Sequence, residues 1–232
     1  MRFTPEQEEA ILQESGLPSI IPPEVMAEIK RQYSDPARYY HDWGHALSVL
    51  SWVNHVCSHL PSIAPEDYTL PNPYVLRDMK VAALCHDVVY LPEKGSPYNE
   101  EQSVFFMREH LPQFPHAEDF VMATAKHGKS KRDETLPLEI QLFLDCDLAY
   151  AFADPRWEVF TYFNRLVELE FMKVFEPELV FAGRRKFLQG MLDSDGIFLS
   201  DYFRKRFEGS IRANMARLLA QSPSPVESEE VH

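Results

Sequence analysis

The sequence predicts an all-α fold, and three observations predict it. Apolar residues recur at helical steps of three and four along most of the chain, and no clear run alternates with the period of two that marks a strand. Eight glycines in 232 residues are few for an all-β sandwich with many tight turns. The eighteen prolines cluster between the periodic stretches, where they would separate helices. The length suits one domain, expected over residues 1–220, followed by a polar 221–232 stretch with the composition of a disordered tail.

Taken in order, Thr4-Pro5 reads as cap and first residue of a short helix, with acidic residues at its positive end and Gly16-Leu-Pro18 to stop it. Pro22-Pro23 opens a second helix, from Glu24 to Tyr33, and Ser34-Asp35-Pro36 is a further start signal. A third helix is expected over Trp43–His59, from the spacing of Ala46, Leu47, Leu50, Val53 and Val56. A proline-rich connector, 61–73, leads to a helix over Tyr74–Asp87, which ends in the loop 91–97. Helices are then expected to Asn99–His110, His116–His127, Pro137–Phe152, Trp157–Phe175, Pro177–Asp193 and Asp201–Leu219. The total is roughly eight to ten helices.

Composition narrows the function. Thirty-six acidic residues against twenty-three basic give a formal charge of −13. A general nucleic-acid binder is more often basic, because phosphate neutralisation dominates its affinity, so no nucleic-acid polymer is expected as partner. A small anionic substrate remains compatible through a local basic patch. Cys57, Cys85 and Cys146 lie in apolar runs without CxxC spacing and read as buried thiols of a reducing compartment. The polar, acidic opening is unlike a signal peptide, and no run approaches the roughly eighteen apolar residues of a membrane span. A cytoplasmic protein without a membrane partner is the expectation; the oligomeric state is open.

The chemistry concentrates in Arg38-Tyr-Tyr-His41-Asp42-Trp-Gly-His45-Ala46 and Leu84-Cys-His86-Asp87-Val88. Four residues separate His41 from His45, which on a helix would place both on one face. A lone His-Asp dipeptide is most often structural. Here it is joined by His45 and by Asp145 and Asp147 inside another apolar stretch, Phe143-Leu-Asp-Cys-Asp-Leu. Burying several unpaired carboxylates is costly, and a divalent cation offsets that cost for all of them together. Imidazole and carboxylate are suitable ligands for such an ion.

This order, His45, then His86-Asp87, then a distant aspartate, resembles the HD-domain metal-dependent phosphohydrolases. Tyr40-His41-Asp42-Trp43-Gly44-His45-Ala46 is also similar to the Tyr-His-Asn-Trp-x-His-Ala segment of class I cyclic-nucleotide phosphodiesterases, with Asp42 where those enzymes have Asn. Across residues 38–150 the chain is similar to the small bacterial-type HD phosphohydrolases, whose substrates are largely unassigned. The resemblance implies a compact HD-type helical bundle with extra C-terminal helices and a metal core at about 36–152. It implies His45, His86, Asp87 and Asp147 as metal ligands, with Asp147 preferred to Asp145, and His41 as the proton donor.

The expected activity is metal-dependent hydrolysis of a small phosphate ester such as a nucleotide, with one or two divalent ions among Mg, Mn, Zn, Fe, Co and Ni. Glu100 and Glu101 could orient the water or support a ligand histidine, or be solvated residues of a first helical turn. Arg38, Lys126, His127 and Lys129 are candidate substrate contacts, with a solvated loop as the alternative for the last three. Two other functions fit the same residues. One is an HD-type di-iron oxygenase that draws on His110, His116 and His127; the other is a non-catalytic metal or nucleotide sensor.

Overall fold

The structure, a computed structural model, describes residues 3–125 and 135–221, and those residues contain ten α-helices and no strand. They are α1 (Pro5–Ser15), α2 (Pro23–Gln32), α3 (Trp43–Ile63), α4 (Pro73–Cys85) and α5 (Tyr98–His110), then α6 (Ala117–Thr124), α7 (Leu138–Phe152), α8 (Trp157–Phe171), α9 (Pro177–Asp193) and α10 (Asp201–Ala220). A single 3-10 turn, Leu17–Ser19, follows α1.

Helix α3 is the axis of the bundle and packs against α1, α4 and α7. Its buried face carries Ala46, Leu47, Val49, Leu50, Val53, Val56 and Leu60. Each large side chain contributes roughly 1.5–3 kcal/mol on burial, which outweighs the cost of the polar His45 and Asn54 on the same helix. Asn54 recovers part of that cost by donating to the Ile11 carbonyl at 3.1 Å, which ties α1 down. Helix α4 is buried almost throughout its second half, from Met79 to Cys85, and α7 from Leu142 to Cys146. Helices α8, α9 and α10 pack in series beside α7.

Local chemistry explains most of the boundaries. Thr4 and Gln7 form a reciprocal capping box at α1, and Gly16 closes that helix at φ 74°, a conformation glycine takes without strain. Ser200 caps α10.

Several boundaries differ from expectation. Ser34-Asp35-Pro36 starts no helix, because the Asp35 side chain accepts from Ala37 N at 2.8 Å and makes a turn instead. Residues 35–42 are therefore irregular, and His41 stands just before α3 rather than on it. Downstream, α3 continues through Pro61 to Ile63, beyond the expected end at His59, although that proline cannot donate to the Cys57 carbonyl. Helices α6 and α8 are also shorter than expected, ending at Thr124 and Phe171. The expected tail, 222–232, lies outside the described residues.

Candidate metal centre

Two helix ends and the interior of a third helix converge on one point. Helix α3 starts at Trp43 because the Asp42 carboxylate accepts from the His45 backbone N–H at 3.0 Å, a cap that Asp and Asn make equally well. That cap places His45 in the first turn, fully buried. Helix α4 ends at Cys85, so His86 and Asp87 lie at its exit. The His86 Nδ1 atom is 3.1 Å from the Ala83 carbonyl, which requires Nδ1 to carry the proton and leaves Nε2 as a lone-pair donor. The Tyr33 hydroxyl accepts from Asp87 N at 3.3 Å, and Arg38 donates to the carbonyls of Asp87 at 2.8 Å and Val88 at 3.2 Å.

Helix α7 supplies the last carboxylate. Two residues apart on a helix, Asp145 and Asp147 leave the axis roughly 200° apart. Asp145 is fully buried and accepts from Leu199 N, Ser200 N and the Ser200 hydroxyl at 2.7, 2.8 and 2.6 Å, which anchors the start of α10. Asp147 faces the histidines.

The two imidazole Nε2 atoms of His45 and His86 are 3.0 Å apart. Asp147 Oδ1 lies 3.1 Å from His45 Nε2 and 3.5 Å from His86 Nε2. Asp87 Oδ2 lies 3.4 and 3.2 Å from the same atoms. Donors bonded to a shared divalent ion at about 2.0–2.2 Å stand about 3.0–3.5 Å apart when adjacent, so the spacing matches. His45, His86 and Asp147 form a group that could hold a metal ion.

The electrostatics also favour positive charge at this point. Burial opposes ionisation of both histidines, yet hydrogen bonding to Asp147 and Asp87 raises His45, and the Asp87 and Asp147 carboxylates hold His86 well above the usual imidazole value. Burial would likewise raise Asp87, but His86 and the bond to His45 keep its carboxyl well below the ordinary range.

His41 is held beside this group by a residue the sequence reading did not single out. Glu170 of α8 is buried; one carboxylate oxygen accepts from the backbone N–H groups of Tyr40 and His41 at 3.0 and 3.1 Å. Its other oxygen lies 2.5 Å from His41 Nδ1. Tyr90 stacks on the His41 ring at 4.0 Å between centroids. Nδ1 is thus committed to Glu170, and Nε2 has no protein partner among the described residues.

His41, Asp87 and Asp147 line a cavity of about 630 Å³, a volume suited to a small molecule. Glu100 lines it too, with a buried Oε2 atom that has no hydrogen-bond partner among the described residues, whereas Glu101 is exposed. The neighbouring Asn99 and Ser103 bond the backbone of Leu91 and Val89, so the Asn-Glu-Glu-x-Ser stretch pins the loop that leaves the His-Asp pair. Gly95 in that loop takes φ 62° and lines the cavity with Pro92 and Ser96.

Other candidates are placed elsewhere. Arg38 is occupied by backbone carbonyls and sits over the rings of Tyr33 and Tyr90, so it braces the site. His110 contacts Phe106 at the end of α5, and His116 precedes α6 with its N–H on Asp78; neither joins the metal group. Lys126, His127 and Lys129 lie outside the described residues. No helix among the described residues is long and apolar enough to cross a membrane. No family model matches the chain, and no curated protein matches it.

Proposed function

We propose that the chain is a metal-dependent phosphohydrolase that cleaves a small phosphate ester, a nucleotide or related monoester, with one divalent ion held by His45, His86, Asp87 and Asp147. The observation that carries this reading is the convergence of two imidazole nitrogens and two carboxylates at 3.0–3.5 Å beside a cavity that also receives His41. Such an ion, when bound, supplies Lewis acidity that polarises a phosphoryl oxygen and makes a water more acidic.

The protein's own groups do the rest. Glu170 fixes His41 through Nδ1, so Nε2 is the atom that can deliver a proton to the departing ester oxygen. Glu100 lines the same cavity and is a carboxylate that can accept a hydrogen bond from a water there. Arg38 and Tyr33 hold the backbone of the His-Asp pair, and Ala83 fixes the His86 tautomer, so the ligands need no rearrangement on loading.

Elemental analysis of the purified wild type beside His86→Ala and Asp87→Ala, with phosphate release measured on the same samples across a broad ester panel, tests this. Stoichiometric metal and released phosphate in the wild type alone are expected. Metal without phosphate release from any ester would overturn the hydrolase reading; no metal under any loading condition would overturn the metal centre.

A further inference from the structure

Away from the metal group the cavity changes character. Helix α8, the turn after it and α9 contribute Val167, Phe171, Phe175, Leu179, Val180 and Phe187 to its wall. Three of these remain open to solvent, Phe175 at 38%, Leu179 at 65% and Phe187 at 36% exposure, so an apolar ligand body has surface to cover.

Two charged side chains, Arg184 and Glu168, stand in this wall. Arg184 lines the cavity and donates through Nε to Asn164 Oδ1 at 2.6 Å. Asn164 in turn donates to Glu168 at 2.7 Å, and Glu168 is also met by Arg165 at 3.6 Å. That carboxylate is therefore shared between Asn164 and Arg165, and among the described residues no direct ion pair joins it to Arg184. The Nη1 and Nη2 groups of Arg184 have no acceptor among the described residues, while Phe187 lies against the guanidinium, 5.0 Å from Cζ to ring centroid. Burial pushes this guanidinium below its usual value, although Tyr40 and the Glu168 carboxylate both act to raise it. An arginine oriented through Nε presents a planar fork that suits a two-oxygen anion.

We propose that Arg184 and the apolar walls of α8 and α9 form an anion subsite that binds a carboxylate or phosphate carried on an apolar body. Its connection to turnover rests on the phosphohydrolase reading: the substrate is then a phosphate ester with an apolar body and a second anionic group. Ligand binding at Arg184 does not depend on that reading.

The test uses chelator-treated full-length protein and calorimetric titration with 4-phenylbutyrate, phenylphosphonate and the neutral 4-phenylbutan-1-ol. Both anions are expected to bind about tenfold or more tightly than the alcohol. Arg184→Gln should erase that preference, Arg184→Lys should keep part of it, and Leu179→Ser should weaken acid and alcohol alike. The tighter of the two anions identifies the natural group. Should Arg184→Gln fail to fold, phenylglyoxal labelling of the wild type, read by peptide mass, should show Arg184 protected by 4-phenylbutyrate. Equal affinity for acid and alcohol, a preference that survives in Arg184→Gln, or labelling that ignores the ligand would each overturn the subsite. Binding through Arg184 with no phosphate released from any ester would sink the hydrolase reading and leave the subsite standing.

Discussion

On the α3, α4 and α7 side of the cavity, the charged groups lie 3.0–3.5 Å from one another, and most are also bonded to their surroundings. His86 is fixed at Nδ1 by the Ala83 carbonyl, and Asp87 is fixed through its backbone by Tyr33 and Arg38. On the α8 and α9 side, one guanidinium with a single hydrogen bond among the described residues stands with the Glu168 carboxylate among mostly apolar side chains. Under the proposed function the two halves meet different demands. Reacting atoms must be placed to within a fraction of an ångström, which requires a dense bonded frame, whereas a variable apolar body needs only area. Glu170 crosses the divide: it rises from α8, yet its bonds serve His41 on the ligand side.

The sharpest way to break this contrast is to remove one ligand. His86→Ala should abolish stoichiometric metal, read by elemental analysis, and lower phosphate release by about 10³ or more. Retained metal would show that the frame does not hold the ion.

His41→Gln should keep the metal and lose about 10²–10⁴ in turnover of alkyl phosphates. The loss should shrink for p-nitrophenyl phosphate, whose leaving group needs no proton; equal losses on both esters would remove His41 from the proton-donor role.

A smaller effect separates the aspartates of α7. Asp145→Asn should cost about 1–3 kcal/mol in denaturant unfolding, since it strips charge from three bonds to 199–200, while metal still loads at saturation. Metal loss as severe as in Asp147→Asn would contradict the division of labour between them.

Glu170→Gln is expected to cost about 2 kcal/mol at neutral pH. Burial would raise the Glu170 carboxyl, but His41 and the backbone N–H groups of residues 40–41 lower it below the usual carboxylate value. A depressed folded-state value stabilises the protein above the unfolded value of about 4.5 and loses that contribution as pH falls through the folded one. The gap between wild type and variant should therefore close in acid below that point, in denaturation curves taken from pH 7 downward.

The least costly change probes the α3 cap: Asp42→Asn should stay within about 0.5 kcal/mol, whereas Asp42→Ala should cost about 1 kcal/mol.

Much of the ligand side was legible in the sequence because each part is local. His45 follows a capping aspartate, His86-Asp87 closes an apolar helix, and Asp147 sits in an apolar stretch; the structure brings all four together. What was not legible depends on distance along the chain. Glu170 is 130 residues from the Tyr40 N–H it accepts, and a glutamate within an aromatic helix carries no local mark of that contact. Arg184 sits in an ordinary amphipathic pattern, and only its Nη groups, without an acceptor among the described residues, set it apart. The irregular 35–42 segment was misread because Ser-Asp-Pro serves a turn as readily as a helix start, and the Asp35 bond to Ala37 decides between them.

The back-to-back aspartates of α7 also couple two ends of the molecule. Turning α7 about its axis to re-aim Asp147 would drag Asp145 off Leu199 and Ser200, so the helix is pinned against rolling. By reciprocity, whatever seats Asp147 more firmly also tightens the mooring of α10. Clipping the chain before residue 199 would loosen a ligand that the removed segment never touches.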